Sequence, residues 1–411
     1  MSTRTMFLAV AAAALLLAGQ PAAAQAPNPA MTQPDLVNWQ LFITLNKNSK
    51  ATPAALEWET WIDDLGNFPA SPDPKTPPTW PSAGKVKVGN KRLLTAHTVT
   101  GAPRAVDERP AGDSSEETHR NKIAFDYIVA NKMWYREGLA DVVKSGTLIQ
   151  YPQNAIEMKA NWAPMDGNPK YKAGARYTLN NKPFTGRVDS DENGNAIGLV
   201  AMHIMAKQVP LWTWGTFEYV DNPGRCDFIG CKDSFGAKTS YVAPAAATGG
   251  FYSACQPTPA LKALFKTLGG TDTTFINSYC LKGSQPDYVA ADGMPSLLGN
   301  SVTEKGFVQS SSCITCHARA SAASDGSNPS GFGAKPGVTP PVSYNGAPDP
   351  TWFYNTATLN PDELWQWEQT GKIPPAAIKL LPLDFSWGPP FCANSVDPTV
   401  PRSPCTPQKA K

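Results

Sequence analysis

The chain has 411 residues, with 36 basic and 34 acidic side chains for a net charge of +2, and shows neither a basic stripe suited to nucleic acid nor an acidic tail. Forty prolines, 32 glycines and 12 tryptophans argue against a helical bundle and for a loop-rich fold with large aromatic anchors. The length allows a sizeable core, in one large domain or two.

The N-terminus reads as an export signal. Arg4 supplies a basic start, Met6 to Ala18 is an apolar run, and Ala22-Ala23-Ala24 is a small-residue cleavage site. The run is too short to span a bilayer of about 30 Å. The expected mature chain begins near residue 25, is periplasmic and has no membrane span. Removing residues 1–24 takes only Arg4 from the charge balance, from +2 to +1.

Residues 36–46 predict a helix, with Asp35 as N-cap and Leu36, Trp39, Phe42 and Ile43 on one face. Residues 69–84 and 101–117 read as loops, and a helix is expected over about 119–136, containing Ile123, Tyr127 and Ile128. From about 147 to 221 the period changes to two. Residues 155–162, 199–205 and 212–220 alternate apolar with polar between turn clusters at 165–170, 189–195 and 207–210, which predicts an antiparallel sheet. The run Asp189-Ser190-Asp191-Glu192-Asn193-Gly194-Asn195 begins like a calcium loop, but Val200 stands where the closing glutamate belongs, so a hairpin turn is expected.

Thr258, Pro259 and Gly269 bracket a helix over 259–268, with Leu261, Leu264, Phe265 and Leu268 as its buried face. Residues 320–350 read as a Gly, Ser and Pro-rich loop, 361–370 as a short helix capped by Asn360, and the tail beyond 388 as disulfide-held. The expected fold class is α+β: an antiparallel core at about 147–221 with flanking helices and long Pro/Gly-rich loops. One large domain (25–411) divides into a helical and loop part at 25–146, a sheet core at 147–235 and a disulfide-stapled part at 236–411.

Late in the chain stands Cys313-Ile314-Thr315-Cys316-His317. C-x-x-C-H is the attachment pattern of c-type haem: two thiols on one side of a helical turn form thioethers, and the adjoining histidine supplies the proximal nitrogen. A thioredoxin-like pair would follow a strongly apolar strand, whereas Phe307 to Ser312 is short and polar. A zinc site would need a second ligand cluster, and none is present. The cofactor expected is one covalent haem c on Cys313 and Cys316, with His317 on the iron. Of the other six cysteines, nearest-neighbour pairing predicts Cys226–Cys231, Cys255–Cys280 and Cys392–Cys405.

No methionine or histidine follows His317, so a downstream sixth ligand is excluded. His203, flanked by Met202 and Met205, is the leading candidate for a distal ligand or acid-base group, although a strand histidine bonded to a carbonyl is an equally good reading. His97 and His119 are expected at the surface, and Met294 in the core. Trp212, Trp214 and Phe217 either wall an open distal pocket or are core aromatics, and Arg319 either pairs with a haem propionate or is a solvated arginine.

Met158-Lys159 on a strand, then Trp214-Gly215-Thr216-Phe217, then C-x-x-C-H with Asp384-Phe385 beyond, resembles the β-sheet c-type cytochromes, which include hydroxylamine-oxidising enzymes and sheet-built cytochromes c-prime. The resemblance implies a sheet packed over one haem face and chemistry on gases or small nitrogen compounds. The chain is longer than those proteins, has six additional cysteines and sets the motif about 90 residues after the sheet, so no lysine crosslink is carried over to Lys159. The expected function is single-electron transfer to a redox partner protein, with no nucleic-acid partner. The alternatives are a haem oxidase or peroxidase with an open distal site, or a binder of nitric oxide or carbon monoxide.

Overall fold

The computed structural model describes residues 27–52, 55–82, 89, 91, 93–95, 115–242, 248–268, 277–328, 345–355, 366–367 and 369–405. The export signal, His97 and most of the helix expected at 361–370 lie outside these residues.

Among the described residues there are twelve strands: β1 (Ile62–Asp63), β2 (Leu94–Thr95), β3 (Ser115–Arg120), β4 (Ile156–Pro164), β5 (Thr178–Leu179), β6 (Lys182–Pro183), β7 (Val188–Ser190), β8 (Ala196–Ala206), β9 (Thr213–Tyr219), β10 (Tyr279–Gln285), β11 (Ser321–Ala322) and β12 (Leu381–Pro382). Eight of them form one antiparallel sheet in the order β1-β3-β4-β8-β9-β10, with β2 on β3 and β7 on β8. The α+β class and the antiparallel core stand. The expected limits of 147–221 were too narrow: β1 and β3 come from the N-terminal part and β10 from the C-terminal part, so the sheet draws on all three expected subdivisions.

Helix α1 (Pro29–Thr32) leads into α2 (Pro34–Leu45), which begins with Gln33 as N-cap and Pro34 at its first position. Asp35 lies inside the first turn rather than capping it, and its carboxylate accepts from the Ser234 N–H and hydroxyl. The helix expected at 119–136 is divided. Residues 115–120 form β3, followed by α4 (Lys122–Ala130, capped by Asn121) and α5 (Arg136–Ser145), while α3 (Asp64–Asn67) lies earlier, directly after β1. Helix α6 (Pro259–Leu268) matches its expectation: the Thr258 hydroxyl accepts from the Leu261 N–H, and Leu261 and Phe265 are buried. Two short helices complete the set, α7 (Cys313–Ala318) and α8 (Gly388–Cys392).

Side chains alternate across a strand, so register assigns each residue to a face. One face carries Met158, Ala160, Met202, Ile204, Phe217 and Leu281, packed with α2 and α6 in an apolar core where Phe42 stacks on Phe217 at 4.0 Å. A second core lies where α4, α5 and α7 meet the β8–β9 end of the sheet. Strands β8 and β9 are buried on both faces.

The hairpin reading of residues 189–195 holds: Asp191 accepts from the Asn193 and Asn195 N–H groups, and Gly194 takes φ +77° between β7 and β8. The three disulfides are Cys226–Cys231, Cys255–Cys280 and Cys392–Cys405, as nearest-neighbour pairing predicts. Among the described residues no helix is long and apolar enough to cross a membrane.

Candidate functional site

The second face of the sheet is polar. Thr118 on β3, Lys159 on β4, His203 on β8 and Thr216 on β9 form a cross-strand row, with Met205 and Trp214 one step along on the same face. Steps of two residues on one face are separated by about 6.6 Å. The segment 298–312 covers this face through side-chain hydrogen bonds. Asn300 Nδ2 lies 2.9 Å from His203 Nε2 and 3.0 Å from Thr216 Oγ1, while the Ser301 hydroxyl donates to Glu218 at 2.7 Å. Thr303 Oγ1 donates to Asn161 at 2.8 Å, and Glu304 sits 3.4 Å from His203 Nε2. Buried polar groups need partners, and this segment provides them.

The same segment delivers the C-x-x-C-H motif. Ser312 caps α7, and Gln285 at the end of β10 bonds it twice, donating to Ser312 Oγ at 2.9 Å and accepting from the Ile314 N–H at 3.0 Å. Ile314, Thr315 and Ala318 are buried, while Cys313, Cys316 and His317 are half-buried. A cavity of about 190 Å³, partly open to solvent, lies between α7 and the polar face, and Cys313, Cys316, His317, Lys159, His203 and Trp214 all line it.

His317 is held on two sides. Its Nδ1 lies 2.9 Å from the Phe385 carbonyl, and the Trp214 ring packs against it at 4.7 Å. Burial, reinforced by the Lys159 and His203 charges, lowers the imidazole to about 4. It is therefore neutral near pH 7, with Nδ1 donating to the carbonyl and the Nε2 lone pair available to a metal. Cys313 and Cys316 are free thiols pushed up by burial, whereas the other six cysteines are all in disulfides.

Among the cavity carboxylates, burial alone would raise Glu304, but His203 and the Asn300 N–H hold it below its ordinary value. Lys159 is raised because its salt bridge to Glu116 at 3.0 Å outweighs burial. Asp64 lies near the sulfurs of Cys392 and Cys405, but these are joined to each other and Asp64 is paired with Arg120, so this group has no free donors for a cation.

The site residues read from the sequence divide unevenly. Cys313, Cys316, His317, His203, Trp214, Lys159 and Arg319 come together around the cavity. Phe217 belongs to the opposite core and Trp212 to the second core, so both are packing residues. His119 is buried rather than at the surface, with Nδ1 at 3.1 Å from the Trp61 carbonyl and Nε2 at 3.0 Å from Glu117. Met294 is 63% exposed rather than in the core, because it stands at the tip of a tight turn where Asp292 accepts from its own N–H. Sequence reasoning missed Glu304, Asn300 and Gln285. None carries a local signal, since each acts through partners distant in the chain.

The donor set fits a c-type haem: two unpaired thiols on one turn, a neutral imidazole oriented through its second nitrogen, and a cavity at their side. Comparison of the chain with protein families, with characterised proteins and with solved structures finds no match.

Proposed function

We propose that this chain is an exported, periplasmic c-type cytochrome that carries single electrons, with one haem on Cys313 and Cys316 and His317 on its iron. One observation carries the reading: among eight cysteines only the C-x-x-C pair is left unpaired, at the wall of a cavity that also receives a neutral, carbonyl-oriented histidine. Haem, when bound, supplies a one-electron iron couple. Cys313, Cys316 and His317 would hold the group, Trp214 packs against the His317 ring, and Arg319 at the cavity wall would meet a propionate. His203 lines the same cavity one row beyond Trp214 and would be the side chain available as a further protein ligand. The partner is a redox protein that accepts or delivers one electron.

A second reading is favoured by the partners of His203. Its Nε2 is already engaged by Asn300 and Glu304, an arrangement suited to an acid-base group. On that reading the iron keeps an open position for nitric oxide, carbon monoxide or a peroxide, as in the sheet-built cytochromes the sequence resembles. The absorption spectrum of the purified holoprotein separates the two. A low-spin spectrum unchanged by carbon monoxide supports the carrier; a high-spin spectrum with rapid carbon monoxide binding overturns it in favour of the open site.

A further inference from the structure

Nine non-glycine residues among those described have positive φ, and only two pairs of them are consecutive, Asn180-Asn181 and Asp384-Phe385. Asn180-Asn181 joins β5 to β6 as a two-residue hairpin, where both central residues must be left-handed. Asp384-Phe385 joins no such hairpin. Its turn is closed by the Ser386 N–H to the Leu383 carbonyl at 3.0 Å, with φ +48° at Asp384 and +71° at Phe385. Asp tolerates this region, but phenylalanine stands where glycine is usual. A backbone held there needs surroundings that over-determine it.

Those surroundings are present. Lys207 donates to both Asp384 oxygens, at 2.6 and 2.8 Å, and the Tyr151 N–H donates to the same carboxylate at 2.6 Å. The Ser386 hydroxyl donates to Glu157 on β4 at 2.6 Å, and the Leu383 N–H to the Ala320 carbonyl at 2.8 Å. The product of this clamp is the position of one atom, the Phe385 carbonyl oxygen that meets His317 Nδ1. Lys207 also opens the β8–β9 connection whose other end carries Trp214, so one hairpin reaches His317 twice, through a ring contact and through Lys207–Asp384.

We infer that Asp384 is a positioning residue for His317: with Lys207 it holds the left-handed turn that aims the Phe385 carbonyl at Nδ1, fixing the tautomer and donor strength of the imidazole. The inference rests on the haem reading. A carbonyl acceptor at Nδ1 makes the imidazole a stronger donor to the oxidised iron, so releasing the turn raises the reduction potential.

The test is potentiometry on holoprotein matured with haem attached, checked by intact mass. In Asp384→Ala the reduced-to-oxidised ratio at fixed poise is expected to rise about tenfold, or about 59 mV for one electron. Asp384→Asn removes the same charge but keeps a left-handed preference and an oxygen for Tyr151, so its rise is expected to be clearly smaller than that of Asp384→Ala. Lys207→Met gives a test by sign, and serves alone if Asp384→Ala does not fold. Loss of a positive charge by itself lowers the potential, whereas release of the clamp raises it, and a rise is expected. Asn matching Ala, no shift in Ala, or a fall in Lys207→Met overturns the inference with haem still attached. A wild-type chain without haem fails the underlying reading before any variant is made.

Discussion

The two faces of the central sheet are built by the same five strands, β3, β4, β8, β9 and β10, and at β8 and β9 both are buried. Toward α2 and α6 the strands present Met158, Met202, Ile204 and Phe217, whose burial is its own justification. Toward α7 they present Glu116, Lys159, His203, Thr216 and Glu218, and each of these has a specific partner. Burial therefore does not separate fold from site here; the need for partners does. The apolar face holds the chain together. The polar face is affordable only because 298–312 satisfies it, and that segment ends at the cysteine pair.

Substitutions on each face give the contrast a scale. Phe217→Ala removes a fully buried ring stacked on Phe42 and is expected to cost about 3–5 kcal/mol, read from the urea midpoint. A loss under about 1 kcal/mol would mean that this face does not carry the fold. Lys91→Met tests the edge of the same face, where the ammonium lies 3.0 Å from Glu117 and 3.2 Å from Glu59, over the rings of Trp58 and Trp162. Leaving buried carboxylates without their cation is expected to cost about 3 kcal/mol. Burial alone would raise Glu117, yet Lys91 and His119 hold it at about 2, below its ordinary 4.5. Its folded value is depressed, so the stability it adds is present above 4.5 and is lost as pH falls toward 2. Urea midpoints measured across that window should show a smaller acid-side loss in Lys91→Met, where only His119 still holds Glu117 down, than in the wild type; equal slopes would remove Lys91 as a cause.

Effects on the polar face are smaller and more local. Thr216→Val keeps the shape but deletes the acceptor for Asn300, at an expected cost of about 1 kcal/mol in the same assay. A neutral result would indicate that 298–312 is not held by this contact. Met294→Ser, at an exposed turn tip, should change stability by no more than about 0.5 kcal/mol. A larger loss would return Met294 to the core, where its sequence places it.

Elements whose cause is local were legible in the sequence. Pro259 starts a helix, the alternation in β4, β8 and β9 shows a period of two, and three disulfides join neighbouring cysteines. Strand β3 was not legible, because Ser-Glu-Glu-Thr-His-Arg reads as helix or loop until Lys91, Trp162 and Lys159 are beside it. Strand β10 is hidden by a bulge at Lys282. The motif residues of the site could be read from five letters, and His203 from its strand. Glu304, Gln285 and the Phe385 carbonyl could not, since each acts through a partner distant in the chain, and in Phe385 the acting atom belongs to the backbone.

The most direct measurement is the intact mass of protein matured in a host competent to assemble c-type cytochromes, compared with Cys313→Ala/Cys316→Ala made in the same host. The account predicts a wild type heavier by one haem that survives denaturation, and a double variant at the mass of the polypeptide alone. A wild type at the bare polypeptide mass, with Cys313 and Cys316 open to alkylation, would contradict it.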